Sequence, residues 1–113
     1  MSARLHVCAS CASPLERAKG GLVPGARLVR ALRARLAGGP IEVVAERCIG
    51  PCDRPCASVL DLGARGAFLL VDLRPDLDVD RIVEAAHAAL RGDADPTAHR
   101  RLRARRIRDW VPA

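Results

Sequence analysis

The stretch Ile41-Glu42-Val43-Val44-Ala45-Glu46-Arg47-Cys48-Ile49-Gly50-Pro51-Cys52-Asp53-Arg54-Pro55-Cys56 decides the fold. Its β-branched start, Ile41 to Ala45, reads as a strand. Through Glu46 and Arg47 that strand runs into three of the five cysteines of the chain. Gly50 and the two prolines forbid a regular helix or a central strand across them, so the thiols are expected on a turning loop able to wrap around something small. The N-terminus repeats the arrangement. Leu5-His6-Val7 is a short extended segment that leads directly into Cys8-Ala9-Ser10-Cys11. Two thiol groups, each delivered by a strand end, suit an α/β layout, where sites gather outside the carboxyl ends of strands.

Working outward, residues 12–21 carry Pro14 and paired glycines and read as a loop. From Ala26 to Ala37, Leu28, Leu32 and Leu36 recur four apart while Arg27, Arg30 and Arg33 fall elsewhere on the wheel, which predicts an amphipathic helix ended by Gly38-Gly39-Pro40. Beyond the cysteine loop, Ala57 to Leu62 reads as a third strand, Gly63 to Gly66 as a hairpin connection and Ala67 to Val71 as a fourth strand. Asp78 is the expected N-cap of a second helix whose stripe is Val79, Ile82, Val83, Ala86 and Leu90, stopped by Gly92. The order β-α-β-β-β-α implies an α/β domain over residues 1–92, with a four-stranded mixed sheet and flanking helices. Residues 93–113 read as an arginine-rich tail with one short helix around Thr97 to Arg106 before Trp110.

Composition bounds what such a domain can do. A chain of 113 residues has room for one modest core. With one Phe, one Trp and no Tyr, that core must be built from Leu, Val, Ile and Ala, and a bound metal would add stability by holding the folded state alone. No apolar run precedes Cys8 and none approaches a membrane span, so no membrane partner is expected and a cytoplasmic location is. In a reducing compartment, an odd number of cysteines in two clusters argues for metal or redox chemistry over structural disulfides. The net charge of +6 raises nucleic acid as a partner. Its one dense run, Arg100, Arg101, Arg103, Arg105, Arg106 and Arg108, lacks the interleaved aromatics that stack on bases, so a solvated face or the attraction of an acidic protein is the better reading.

A pair plus a triplet of cysteines supplies the four thiolates that an iron–sulfur cluster or a zinc site needs, with one left over. A 2Fe-2S rhomb takes two thiolates on each iron, which two separated pairs meeting at neighbouring strand ends provide without stretching either loop. Arg47 and Arg54 flank the triplet and would offset the negative charge of such a centre. Zinc fits the ligand types, but not the finger and ribbon spacings. A thiol–disulfide oxidoreductase could use Cys8 and Cys11, which would leave the other cysteines unexplained. His87 and His99 read as ordinary surface or helix histidines, Asp53 as solvated, and the role of His6 is open. No Ser-His-Asp set, carboxylate pair or phosphate-cradling glycine loop is present, so the chain is not expected to be an enzyme on its own.

This element order, with Cys48-Ile49-Gly50-Pro51-Cys52 leading into strand, hairpin and helix, resembles the thioredoxin-like 2Fe-2S ferredoxins and the small iron–sulfur subunit of bacterial NADH dehydrogenases. The chain is more similar still to an uncharacterised family of predicted bacterial metal-binding proteins, through the early C-x2-C, the later C-x3-C-x3-C with Asp53-Arg54-Pro55 before the last cysteine, and Asp72-Leu73-Arg74-Pro75. The resemblance implies a thioredoxin-like fold and a 2Fe-2S cluster on Cys8, Cys11, Cys48 and Cys52. The first pair is closer together here than in the ferredoxins, and Cys56 stands where they carry a proline, so Cys56 is the alternative ligand. The function implied is a small electron carrier served by a redox partner protein, a reductase or an acceptor enzyme, with a homodimer left open. The alternative is a cysteine-rich protein that holds zinc, iron or cobalt for delivery or sensing, in a setting linked to cobalamin metabolism.

Overall fold

In the computed structural model, which describes residues 3–9, 20–21, 23–47 and 56–107, the sheet is built outward from β1 (Ala3–Cys8). Ala3, Leu5 and Val7 alternate onto one face and are buried, as a strand with a neighbour on both sides requires. β1 pairs in parallel with β2 (Ile41–Glu46) and antiparallel with β3 (Cys56–Asp61). β3 pairs antiparallel with β4 (Ala67–Leu73), and β4 with β5 (Arg103–Ile107), giving the order β2-β1-β3-β4-β5. The hairpin between β3 and β4 turns through a short 3-10 segment, Gly63–Arg65. It closes with the Leu62 N–H on the Gly66 carbonyl at 2.9 Å and the Gly66 N–H on the Gly63 carbonyl at 3.0 Å.

A parallel pair needs a crossover, and α1 (Pro24–Leu36) supplies it between β1 and β2. Proline sits in its first turn, where the missing N–H costs nothing, and Leu28, Val29, Leu32 and Leu36 are buried beneath it. α2 (Val79–Arg91) packs beside α1 and buries Ile82, Ala85, Ala86 and Ala89. Gly92 ends it at φ 81°, a left-handed value, and the Arg65 guanidinium donates to the Ala89 and Leu90 carbonyls at 2.6 and 2.8 Å. One contiguous core joins both helices to Leu5, Val7, Leu60, Phe68, Leu70 and Leu73 of the sheet.

Three expectations are corrected. Among the described residues the sheet has five strands, not four: Arg103–Ile107 is a strand, preceded by a short 3-10 segment, Pro96–Ala98, in place of the expected helix. An edge strand tolerates charge on its open side. Ala104 and Ile107 lie half-buried between exposed arginines, and Arg106 lies over the Phe68 ring at 5.1 Å. Cys56 is not part of a turning loop but the first residue of β3, paired with Leu73 across an irregularity at Cys56/Ser58. Asp78 does occupy the N-cap position of α2, but its side chain makes no capping bond there. It turns back to accept the Arg74 N–H at 2.7 Å and Arg81 Nη1 at 3.0 Å. The loop expected over residues 12–21 falls almost wholly outside the described residues.

Candidate metal centre

The register fixes which strand ends meet. Cys8, the last residue of β1, is the parallel partner of Glu46, the last residue of β2. The Ala9 N–H donates to the Glu46 carbonyl at 2.9 Å, so the two chains leave the sheet side by side. Cys8 Sγ lies 3.8 Å from the Arg47 carbonyl, a weak sulfur contact that holds the outgoing β2 chain against the thiol one residue before Cys48. β3 runs the other way. Its pairing of Ser58 with Val7 brings its first residue, Cys56, to the end of the sheet where β1 finishes. Cys8 and Cys56 are therefore on neighbouring strands at one end, both buried, at 0% and 1% exposure.

Of the thiols expected to bind a metal, Cys8 and Cys56 are brought to one end; Cys11, Cys48 and Cys52 lie outside the described residues, as do Asp53 and Arg54. Arg47 is exposed beside the site. Among the described residues no group of three or more His, Cys, Asp or Glu is arranged to hold a metal ion. His87 is half-buried on α2, and His99 accepts the Arg101 N–H at 3.3 Å through Nδ1, so neither joins the thiols.

A buried polar pair that no motif announces stands behind Cys8. His6 is 3% exposed, and its Nδ1 lies 2.9 Å from Glu46 Oε1. Both residues precede a cysteine group by two positions in their strands, Cys8 for His6 and Cys48 for Glu46. Their contact is set by the parallel register, which no local pattern reveals. The only available signal was a histidine and a glutamate each just ahead of a thiol. Ser58 adds a second buried polar group nearby: its hydroxyl has no hydrogen-bond partner among the described residues, two positions after Cys56. Ser58 is the register partner of Val7 and His6 that of Val59, so the hydroxyl and the imidazole lie on opposite faces of the sheet behind the two thiols.

The family model described as "Protein of unknown function (DUF1636)" matches residues 5–109. No curated protein and no solved structure matches the chain.

Proposed function

This chain belongs to the DUF1636 family, and we propose that it is a small 2Fe-2S electron carrier whose cluster is held by cysteine thiolates from strand ends gathered at one edge of the sheet. One observation carries the proposal. Cys8 ends β1 beside the end of β2, and Cys56 opens β3 at that same end of the sheet, so two cysteines far apart in sequence stand on neighbouring strand ends. The ligand set proposed is Cys8, Cys11, Cys48 and Cys52, with Cys56 as the alternative ligand.

The thioredoxin-like form belongs to the same proposal. Supporting it are the parallel β1-α1-β2 unit, the antiparallel β3-β4 hairpin and α2 after it, with β5 as an addition at the edge. When bound, such a cluster supplies a site that takes up and gives up one electron. The residues of the chain supply the rest. Burial of Cys8 keeps water from its sulfur, the His6–Glu46 contact pins the ends of β1 and β2 against each other, and the exposed Arg47 places positive charge where an acidic redox partner, a reductase or an acceptor enzyme, would dock.

A second reading is favoured by Cys56. A fifth thiol, buried at the same edge, exceeds what a four-ligand centre needs and suits a protein that takes up and releases zinc, iron or cobalt for delivery or sensing. Metal and acid-labile sulfide analysis with visible absorption of anaerobically purified protein separates the two. About two iron and two sulfide per chain is the expected result. Metal without sulfide would move the assignment to the second reading, and a protein that takes up neither would end both.

A further inference from the structure

Next to Cys56 the sheet ends in a cleft that the thiols leave unused. Leu73, the register partner of Cys56, forms its floor with Leu102, and both are buried. Asp72, at φ 57°, a left-handed value for a residue with a side chain, lies at the irregularity of β4 just before its last paired residue, Leu73. Four arginines line the opening, Arg74, Arg81, Arg101 and Arg103, around a volume of about 280 Å³.

Two carboxylates share that lining, and both are engaged. Asp78 accepts the Arg74 N–H and Arg81 Nη1, and Asp72 accepts Arg103 Nη1 at 3.3 Å. The next acids along the chain are turned to α1, Asp76 toward Arg27 at 3.8 Å and Asp80 toward Arg35. Four guanidinium groups against two carboxylates leave the cleft a formal charge of +2, that is 4 − 2. Among the described residues the side chains of Arg74 and Arg101 have no carboxylate partner.

We infer that this cleft binds a small dianion, a phosphate group or a dicarboxylate, between Arg74 and Arg101, at the shoulder of the thiol end of the sheet. Guanidinium forks match the geometry of carboxylate and phosphate oxygens in paired hydrogen bonds. A volume at the low end of ligand pockets selects a compact anion over a large organic ligand. Asp78 and Asp72 act here as positioning residues, fixing Arg81 and Arg103 so that the charge converges before the anion arrives.

Anion binding by the arginines can be read whatever metal the protein holds. Full-length protein as isolated is titrated calorimetrically at low ionic strength with inorganic phosphate in one arm and succinate in the other. Saturable binding at one site per chain is expected in at least one arm, and the arm that binds names the ligand class. In the R74Q/R101Q variant, affinity should fall by about tenfold or more, as the loss of charge-assisted hydrogen bonds predicts. The R30Q/R33Q variant, which removes equal charge from α1, should bind like the parent. Absence of binding in both arms, equal weakening in the two variants, or undiminished binding by a folded R74Q/R101Q protein would each overturn the assignment.

Discussion

Replacing Glu46 by alanine tests whether the strand ends are held as described. Two polar side-chain contacts join β1 to β2, and they differ chiefly in their surroundings. Arg4–Glu42 is open to water, with both side chains 67% exposed and 3.6 Å between them. His6–Glu46 is closed, with side chains 4% and 12% exposed at 2.9 Å. An exposed pair of this type contributes about 0–1 kcal/mol, because water and salt screen it. Taking the acceptor away from a buried donor costs about 1–3 kcal/mol, since no solvent replaces it. Glu46→Ala should therefore destabilise the protein by about 2 kcal/mol and Glu42→Ala by less than about 1. Glu46→Gln keeps an acceptor oxygen and should fall between them. Urea denaturation followed by circular dichroism, analysed with a shared slope, measures all three. In thermal melts each kcal/mol should appear as roughly 3–6 °C for a chain of this size. If Glu46→Ala and Glu42→Ala cost the same, the buried pair does not hold β2 to β1, and the strand ends behind Cys8 are not fixed by it.

Two further outcomes are expected. Cys8→Ser should abolish the bound metal or cluster, whereas Cys56→Ser should retain it if the proposed ligand set is right; loss in both, read by metal content and visible absorption, would bring Cys56 into the set. Gly66→Ala should lower stability by about 1 kcal/mol or more in a thermal melt, because φ at Gly66 is 106° and a Cβ there would sit 3.1 Å from Arg106 Nη1; a neutral result would show that the hairpin does not hold this conformation.

What could be read in advance was what local pattern controls. The four-residue recurrence of Leu28, Leu32 and Leu36 announces α1, and the stripe through Ile82 and Ala86 with Gly92 after it announces α2, because helix periodicity and a left-handed stop are local properties. β5 was hidden because three of its five residues are arginine, and an edge strand needs apolar contact on one side only. Pro55 made Cys56 look like loop, yet a proline immediately before a strand removes no ladder hydrogen bond from the strand itself. The Asp78 side chain follows the capping pattern in sequence and serves the Arg74 turn in space. The His6–Glu46 contact lies beyond any such pattern. It joins residues 40 apart through a crossover whose register only the folded sheet defines.

That Cys8 and Cys56 stand at one end of the sheet follows from strand direction. In a parallel pair both carboxyl ends lie at the same edge, so whatever follows β1 and whatever follows β2 leave the sheet there together. An antiparallel neighbour of β1 must begin where β1 finishes, so the first residue of β3 joins them. The sequence places cysteine at each of these three positions, at the end of β1, just beyond β2 and at the start of β3. Reversing any one strand would send its thiol to the far edge, near Arg4 and Asp61. β4 completes the geometry by ending opposite Cys56, which brings its departing chain, and with it the arginine-lined cleft, to the side of the thiols. An anionic ligand and a thiolate-bound centre would thus share one end of the sheet, because the topology brings Cys8, Cys56 and the arginine-lined cleft there.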